Sequence, residues 1–408
     1  MDRLIAHADT PSRNDCLRFE RYTRPLIELL EHEGTMPPFT VGLFGPWGSG
    51  KSTVLRLVAD QVRKQQCMIV EFNPWIYRKE PNLLTPLLHT LHDALASNTG
   101  DEIKSSARKL WSCLARLGAG AALKFVTGGA VDLKQLQELE DQYLKDTATA
   151  RSELRRLRTT LQGIADDLAS RGIRLALFID DLDRCEPTEI VDVLEAIKLF
   201  LDVDNILCVI AVDRSILDVA IEARYLRAGF PPDTVAGMGA RYLDKLVQLP
   251  LYVLPLSDHD IDKLIDSLGL SARATAGLAS VRNSLQPNPR HIKRIANMVA
   301  STLLTTGDNH GFADTLIAKL AVLRVQFPTI FEAALARPEF LHAFAAVYRR
   351  DIDRNRDEHF AAYQPHKDHV QTMCKLHYRV NGLLETLFND RQPLPPVAEI
   401  QRHLLVAV

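Results

Sequence analysis

Two hydrophobic patterns alternate along the first 255 residues of this chain. Short runs rich in apolar and β-branched residues occur at 39–44, 68–72, 175–179 and 206–212, and another lies within 246–254. Runs of this length are typical of strands, and the uninterrupted run at 175–179 is typical of a central parallel strand covered on both faces. Between the runs, apolar residues recur at three- and four-residue steps, which predicts helices. Together these patterns predict an α/β fold with a parallel sheet.

The interval 82–171 between the second and third runs is too long for a plain loop, so we expect an inserted helical element there. Within it, 114–131 is rich in Gly and Ala, and we expect a short helical hairpin or a partner-facing surface. Over residues 134–171, apolar residues recur mostly at three- and four-residue steps between charged ones, which predicts a long amphipathic helix with coiled-coil character. Its apolar face packs either along its own domain or on another subunit, and the pattern does not distinguish the two.

Beyond Pro255 the periodicity is helical throughout. We therefore expect three parts: a domain at 1–255 that contains the sheet and the insertion, a helical lid at 256–306, and a C-terminal helical domain at 307–408.

The first strand is followed by a glycine-rich loop with the spacing Gly-x-x-x-x-Gly-Lys-Ser, and then by a predicted helix. This strand–loop–helix order is the context of a P-loop, or Walker A motif, whose backbone N–H groups bind phosphate. Lys51 is expected to reach the β- and γ-phosphates, and the Ser52 hydroxyl to bind Mg²⁺. The expected nucleotide-binding residues are Gly45, Pro46, Trp47, Gly48, Ser49, Gly50, Lys51, Ser52 and Thr53.

The strand at 175–179 ends in an acidic segment, Asp180-Asp181-Leu182-Asp183-Arg184. Ligands of parallel α/β sheets gather at the carboxyl ends of the strands, which is where a Walker B carboxylate must lie. We expect Asp180 to hold Mg²⁺ together with Ser52, and Asp181 to orient or deprotonate the attacking water. Asp183 and Arg184 either form a structural ion pair or face a neighbouring subunit.

Two further residues are candidates for contacts with the γ-phosphate. Asp213 follows the strand 206–212 in the position of a sensor residue, although it equally suits the N-cap of the next helix. Arg290 lies in the basic first turn of a predicted helix, where cations oppose the helix dipole and an anion is expected to compensate them. Arg290 either reaches back to the γ-phosphate or belongs to an ordinary solvated basic face.

Composition narrows the range of functions. The formal net charge of the 408 residues is −2, and no basic groove with interleaved aromatics predicts nucleic-acid binding. The six cysteines are scattered without a C-x-x-C pair, as expected for free thiols in a reducing compartment. No signal peptide and no transmembrane segment is predicted, so we expect a cytoplasmic protein. An Asn-Lys-x-Asp guanine-reading motif is absent from the sequence, which favours ATP over GTP.

These motifs resemble the KAP family of P-loop NTPases, and the resemblance covers most of residues 14–300. The matching segments are NDCLRFER at 14–21, GLFGPWGSGKST at 42–53, FNPWIY at 72–77, LFIDDLDRCEP at 177–187, VLEAIKLFLDV at 193–203, CVIAVDR at 208–214, YLDKLVQLP at 242–250 and NPRHIKR at 288–294. The resemblance implies a three-layer αβα fold of the additional-strand (ASCE) type, in which one strand separates the P-loop strand from the Walker B strand. It also implies ATP hydrolysis. By association with the family alone, it further implies a place in a mobile-element or phage-defence gene set, where the ATPase works with separate effectors.

Two functions follow from these expectations. In the first, the chain is a Mg²⁺-dependent ATPase that self-associates and works with a partner or effector protein, and Arg184, Arg214 or Arg241 acts on a neighbouring subunit. In the second, it is a nucleotide-dependent switch or scaffold that binds ATP with little turnover.

Overall fold

The structure is a computed structural model. It describes residues 6–12, 15–32, 34–62, 66–80, 83–97, 101–119, 155–201, 203–307, 313–348, 366–377, 381–388 and 394–407. Within these ranges the chain divides into two compact units. The sheet unit is Pro11–Leu254, and the helical unit combines Met1–Thr10 with Pro255–Val408.

A single sheet of five parallel strands organises the described part of the sheet unit. The strands are β1 (Phe39–Phe44), β2 (Cys67–Phe72), β3 (Arg174–Ile179), β4 (Ile206–Val212) and β5 (Leu249–Tyr252). Their spatial order is β2-β3-β4-β1-β5. β4 therefore lies between β1, which leads into the glycine-rich loop, and β3, which leads into the acidic segment. This is the additional-strand arrangement that the family resemblance implied.

The described helices of this unit lie between the strands in the chain, apart from α1, which precedes β1. They are α1 (Glu20–Glu31), α2 (Lys51–Gln61), α3 (Leu84–Ala96), α4 (Asp101–Ala119), α5 (described over 155–169), α6 (Pro187–Leu201), α7 (Arg214–Arg227), α8 (Pro232–Val235) and α9 (Met238–Leu246). Alternate residues of β3 and β4, such as Leu177 and Ile210, pack in one apolar core with α3 to α7. The intervening residues face the opposite side of the sheet, because side chains alternate along a strand.

The insertion between β2 and β3 is helical wherever the structure describes it. Leu157, Leu161, Ile164 and Leu168 on α5 are buried in the same core as the sheet. This part of the predicted long helix therefore packs along its own domain. Residues 134–154 of that helix, and 120–131 of the Gly/Ala-rich stretch, lie outside the described residues.

The described helical unit contains α10 (Asp258–Ser267), α11 (Ala272–Val281), α12 (Pro289–Thr306), α13 (Asp314–Gln326), α14 (Pro328–Ala336), α15 (Glu339–Tyr348), α16 (Lys367–Leu376), α17 (Asn381–Phe388) and α18 (Val397–Ala407). Its centre is α13, which contacts α11, α12, α14 and α18. The amino-terminal residues pack on α12: the backbone N–H of His7 donates to Asn297 Oδ1 at 2.9 Å, and Asn297 Nδ2 donates to the His7 carbonyl at 2.8 Å.

The sequence led us to expect free cysteine thiols and no transmembrane helix, and the described residues bear on both expectations. Cys67, Cys185 and Cys208 are buried free thiols, and burial raises the pKa of each to about 12. None of the described helices combines the length and the apolarity that a membrane crossing needs.

Candidate functional site

The glycine-rich loop follows one strand, and a polar residue directly follows each of three others, all at one edge of the sheet. Gly45 follows β1, Asn73 follows β2, Asp180 follows β3 and Asp213 follows β4. Since all the strands are parallel, these residues meet at the carboxyl edge, where α/β proteins bind their ligands.

The glycine-rich loop depends on glycine at its last position. Gly50 has φ +107°, in the left-handed region, and immediately precedes α2. A Cβ at this position would lie 2.5 Å from Cζ of Phe19, a buried side chain just before α1. Gly50 therefore turns the chain into α2 with its first N–H groups at the loop, as phosphate binding requires.

The Lys51 side chain is buried within the loop rather than extended into solvent. Its Nζ donates to the Gly45 carbonyl at 2.9 Å, to the Pro46 carbonyl at 3.4 Å and to Asp183 Oδ2 at 3.0 Å. The exposed fraction is 6% for the Lys51 side chain and 3% for that of Asp183. Of the two alternatives for Asp183, the structure favours an ion pair within the chain.

Ser52 and Asp180 are brought together as expected. The Ser52 side chain hydrogen-bonds to the Asp180 carboxylate, and the Asp181 backbone N–H donates to Asp180 Oδ1 at 2.8 Å. Burial raises the pKa of Asp180 above its ordinary value, and these two hydrogen bonds oppose the increase. A hydroxyl and a carboxylate are ligands that Mg²⁺ accepts alongside phosphate and water oxygens, so this pair fits that ion.

Asp181 is held by two side chains. Asn73 Nδ2 donates to its Oδ2 at 2.8 Å, and Arg184 Nε lies 2.8 Å from its Oδ1. Asp181 itself has φ +57°, a left-handed conformation that Asp tolerates better than most residues. This conformation lets Asp180 and Asp181 contact different partners although they are adjacent.

Asn73 is a site residue that sequence reasoning missed. Asn73 belongs to the segment FNPWIY at 72–77, which was linked to the family resemblance without a role for Asn73, and aromatic residues such as those in this segment usually pack. Tyr77 does pack, since it stacks on Phe72 with ring centroids 5.6 Å apart. Trp75 is 37% exposed, and the guanidinium groups of Arg78 and Arg184 each lie 5.4 Å from its ring centroid. The signal that could have identified Asn73 was its position directly after a strand.

The side chain of Asp213 is engaged as a helix cap. Its Oδ1 accepts hydrogen bonds from the Ser215 backbone N–H at 3.0 Å and from Ser215 Oγ at 2.7 Å, at the start of α7. This is the second of the two roles that the sequence allowed.

The arginines considered for action on another subunit have contacts within this chain. Arg214 lies over the Phe44 ring and donates to the Tyr252 hydroxyl, at the edge where β1 and β5 end. Arg241 donates to the carbonyls of Ala236 and Gly237. Arg184 contacts Asp181 and Trp75 as described above.

Arg290 belongs to the helical unit. Its side chain is 15% exposed, and its Nε lies 3.4 Å from Asp9 Oδ2. The same carboxylate oxygen is 2.8 Å from Arg294 Nη2. Asp9 is thus an anion beside the basic first turn of α12, where the sequence led us to expect one.

The fold and the loop define a class of protein. A parallel sheet with an added strand between β1 and β3, a glycine-rich loop before a helix, and a buried lysine at that loop are the features of a P-loop NTPase. Residues 19–305 match the KAP family P-loop domain. The match covers more than half of the chain, which therefore belongs to the KAP family.

Two curated proteins show how far this similarity extends. The phage T7 exclusion protein of Escherichia coli K12 is 22% identical over 236 residues, which are 51% of this chain and 29% of that protein. The chain thus spans less than a third of that relative's length. An uncharacterised protein of Methanocaldococcus jannaschii, MJ0182, is 26% identical over 168 residues, which are 34% of this chain and 86% of that protein.

Among solved structures, the chain is similar to the ORC1 protein of Aeropyrum pernix in complex with DNA. The TM-score is 0.39 at 11% identity, and the superposition covers 92% of this chain and 84% of that one.

Proposed function

We propose that this chain binds Mg²⁺–ATP at the P-loop and hydrolyses it. The observation that carries the proposal is the grouping of three functional elements at the carboxyl edge of the sheet. These are the buried amine of Lys51, the hydrogen-bonded pair of Ser52 and Asp180, and the carboxylate of Asp181. ATP rather than GTP is proposed because the sequence lacks the guanine-reading motif.

Each side chain has a separate role in this proposal. The loop amides and Lys51 neutralise charge on the β- and γ-phosphates, which is the main contribution a protein makes to phosphoryl transfer. Ser52 and Asp180 hold Mg²⁺, which when bound neutralises charge on the phosphate oxygens. Asp181 orients the attacking water and accepts its proton. Asn73 fixes the carboxylate of Asp181 in the orientation that this proton transfer needs.

The test compares the wild type with Lys51→Ala and Asp181→Asn. We expect Mg²⁺-dependent ATP turnover in the wild type, loss of ATP binding in Lys51→Ala, and retained binding with at least a hundredfold lower turnover in Asp181→Asn. Asp60→Asn, at an exposed position on α2, is the charge-matched control and should keep wild-type turnover. Wild-type turnover that persists in Asp181→Asn would contradict the role of Asp181.

A second candidate function is a nucleotide-dependent switch that turns over slowly. It is favoured by the two contacts that occupy both carboxylate oxygens of Asp181. Each contact uses one of the two lone pairs on its oxygen, so Asn73 and Arg184 restrict the directions from which a water can approach this carboxylate. Tight ATP binding with negligible turnover in the isolated wild type would select this function over the first.

We further propose that ATP controls self-association and binding to a partner protein in the cytoplasm, in a system that excludes phage. The support is the similarity to the phage T7 exclusion protein, and the buried free thiols fit a reducing compartment. Mass distribution measured with and without ATP tests the assembly. Phage plating on cells that express the wild type or Lys51→Ala tests the defence role, and equal plating would contradict it.

A further inference from the structure

Asp183 has no role in the proposed mechanism, yet it contacts the central residue of the P-loop. Its Oδ2 lies 3.0 Å from Lys51 Nζ, and both side chains are nearly excluded from solvent. Buried carboxylates are costly unless they are paired, so this ion pair is a built feature of the fold.

The hydrogen bonds of Lys51 are fully used in this arrangement. An ammonium group has three N–H donors and no acceptor. Its three partners here are the carbonyls of Gly45 and Pro46 and the carboxylate of Asp183. A phosphate oxygen can therefore accept a hydrogen bond from Lys51 only if one of these partners withdraws.

Asp183 is the partner that a phosphate would replace. The two carbonyls are neutral and belong to the backbone of the loop itself. Asp183 is an anion, and two anions on one buried ammonium repel each other strongly where the dielectric constant is low. Its side chain can also rotate away, whereas the carbonyls are fixed by the loop.

We propose that Asp183 is the resident counter-ion of Lys51, and that the nucleotide phosphates take its place when ATP binds. Asp183 is then a positioning residue that keeps the buried lysine ordered before binding and lowers the affinity for ATP through competition. This inference rests on the proposed function, because it requires that ATP binds at Lys51.

Replacement of Asp183 by phosphate at Lys51 would also affect Asp181, because the two aspartates belong to the same short segment. Asp183 lies in the short 3-10 turn Leu182–Arg184, and the next residue, Arg184, is bonded to Asp181. The Arg184 backbone N–H also donates to the Asp181 carbonyl at 3.1 Å. Release of Asp183 from Lys51 therefore loosens a turn whose end holds the carboxylate proposed to activate water.

The decisive experiment is calorimetric titration of Mg²⁺–ATP into the wild type, Asp183→Asn and Glu186→Gln. Asparagine keeps the shape of the side chain but removes the competing charge, so we expect ATP to bind about tenfold more tightly to Asp183→Asn. Glu186 is exposed and three residues away, so Glu186→Gln removes one charge without touching Lys51 and should bind as the wild type does.

A second measurement uses the wild type alone and does not depend on how the variant folds. Hydrogen–deuterium exchange is compared with and without Mg²⁺–ATP. We expect peptides over 45–52 to become more protected on ATP binding, whereas peptides over 182–186 become less protected as Asp183 leaves Lys51.

The failures of the two proposals can be told apart. A wild type that binds no ATP would overturn the proposed function and this inference together. Wild-type binding combined with equal or weaker binding to Asp183→Asn would overturn this inference alone, since Asp183 would then be a structural partner of Lys51 or would assist phosphate binding. Greater protection of both peptides would overturn it as well.

Discussion

Asn73 and Asp181 follow neighbouring strands, and their side chains are joined by a hydrogen bond of 2.8 Å from Nδ2 to Oδ2. Register explains the contact, because Phe72 at the end of β2 is paired with Ile179 at the end of β3. Asn73 also caps the turn that follows it, since its Oδ1 accepts the Trp75 backbone N–H at 3.1 Å. The side-chain oxygen of Asn73 thus orders the turn, and its side-chain nitrogen orders the carboxylate of Asp181.

The first prediction separates these two roles with Asn73→Asp. Aspartate keeps an acceptor for the Trp75 N–H, but it loses the donor to Asp181 and places a like charge beside it. We expect ATP turnover to fall by about a hundredfold, as is typical when a reacting group is misplaced, while the thermal midpoint changes little. Steady-state turnover and thermal unfolding measure the two effects.

Glu71→Gln is the control for Asn73→Asp, since Glu71 is exposed and lies on the strand that leads to Asn73. It should keep wild-type turnover. If Asn73→Asp also keeps wild-type turnover, Asn73 serves only as a cap and the proposed positioning of Asp181 is wrong.

Much of this fold could be predicted because local patterns specify it. The runs 39–44 and 206–212 became strands with the same bounds, as is typical of short, mostly apolar runs in a sheet covered on both faces. The P-loop was predicted from its spacing, and its helix begins at Lys51 as expected. The order of the strands came from the family resemblance rather than from the residues themselves.

The site was harder to predict because its contacts join distant parts of the chain. Three aspartates lie within four residues, and sequence spacing alone could not say which of them pairs with Lys51. The left-handed conformation of Asp181 and the short turn after it turn Asp183 toward the P-loop. The contact between Asn73 and Asp181 spans 108 residues and arises from the adjacency of β2 and β3.

The second prediction concerns Gly50 in the P-loop. Alanine at this position must adopt φ +107°, and its Cβ must also avoid the Phe19 ring 2.5 Å away. We expect Gly50→Ala to destabilise the protein by more than the roughly 1–2 kcal/mol of backbone strain, and to abolish ATP binding because the loop amides shift. Chemical denaturation and calorimetric titration measure the two effects.

Gly172→Ala is a matched control for Gly50→Ala. Gly172 has φ +72°, and no atom lies within 4 Å of its would-be Cβ. It should show the backbone strain alone and bind ATP normally. Equal losses of stability in the two variants would show that the contact with Phe19 adds nothing.

The third prediction tests the packing of α5. Leu161 is 1% exposed within the core that the helix shares with the sheet, so Leu161→Ala should lower the free energy of unfolding by about 2–5 kcal/mol. Gly163 is exposed on the same helix with no atom near its would-be Cβ, so Gly163→Ala should raise stability by about 0.5–1 kcal/mol. Urea denaturation gives both values. A loss below about 1 kcal/mol for Leu161→Ala would instead favour packing of this face on another subunit.

The fourth prediction is a pH dependence of stability from His403 on α18. Its Nε2 accepts the Ala313 backbone N–H at 3.0 Å and its Nδ1 donates to the Glu399 carbonyl at 2.7 Å, so the ring must be neutral. Burial lowers the pKa of His403, and the positive charge of Arg402 lowers it further. The hydrogen bond to the Glu399 carbonyl and the negative charge of Glu399 act in the opposite direction. The unfolded chain therefore binds more protons between the folded pKa and about 6.5, and stability decreases as the pH falls through this window.

The urea midpoint measured from about pH 5 to pH 8 tests the contribution of His403. His403→Gln should weaken the pH dependence of the urea midpoint below about pH 6.5. Part of the dependence should remain, because burial also lowers the pKa of His291 and His377. His259→Gln, at an exposed position, is the control and should follow the wild-type curve. An unchanged slope in His403→Gln would show that His403 does not remain neutral in the folded state.

The last prediction uses Trp75 as a reporter of the turn that follows β3. The guanidinium of Arg184 lies 5.4 Å from the Trp75 ring centroid while its Nε contacts Asp181. If phosphate replaces Asp183 at Lys51, the turn moves and Arg184 changes its distance to the indole, which alters the emission of Trp75. Because Trp47 and Trp111 also emit, the ATP-induced change must be compared between the wild type and Trp75→Phe. We expect most of the change to be lost in Trp75→Phe and to be reduced in Asp183→Asn, whose uncharged side chain holds the turn to Lys51 less tightly before ATP binds. An ATP-induced change that is identical in all three proteins would mean that the exchange at Lys51 does not reach Arg184.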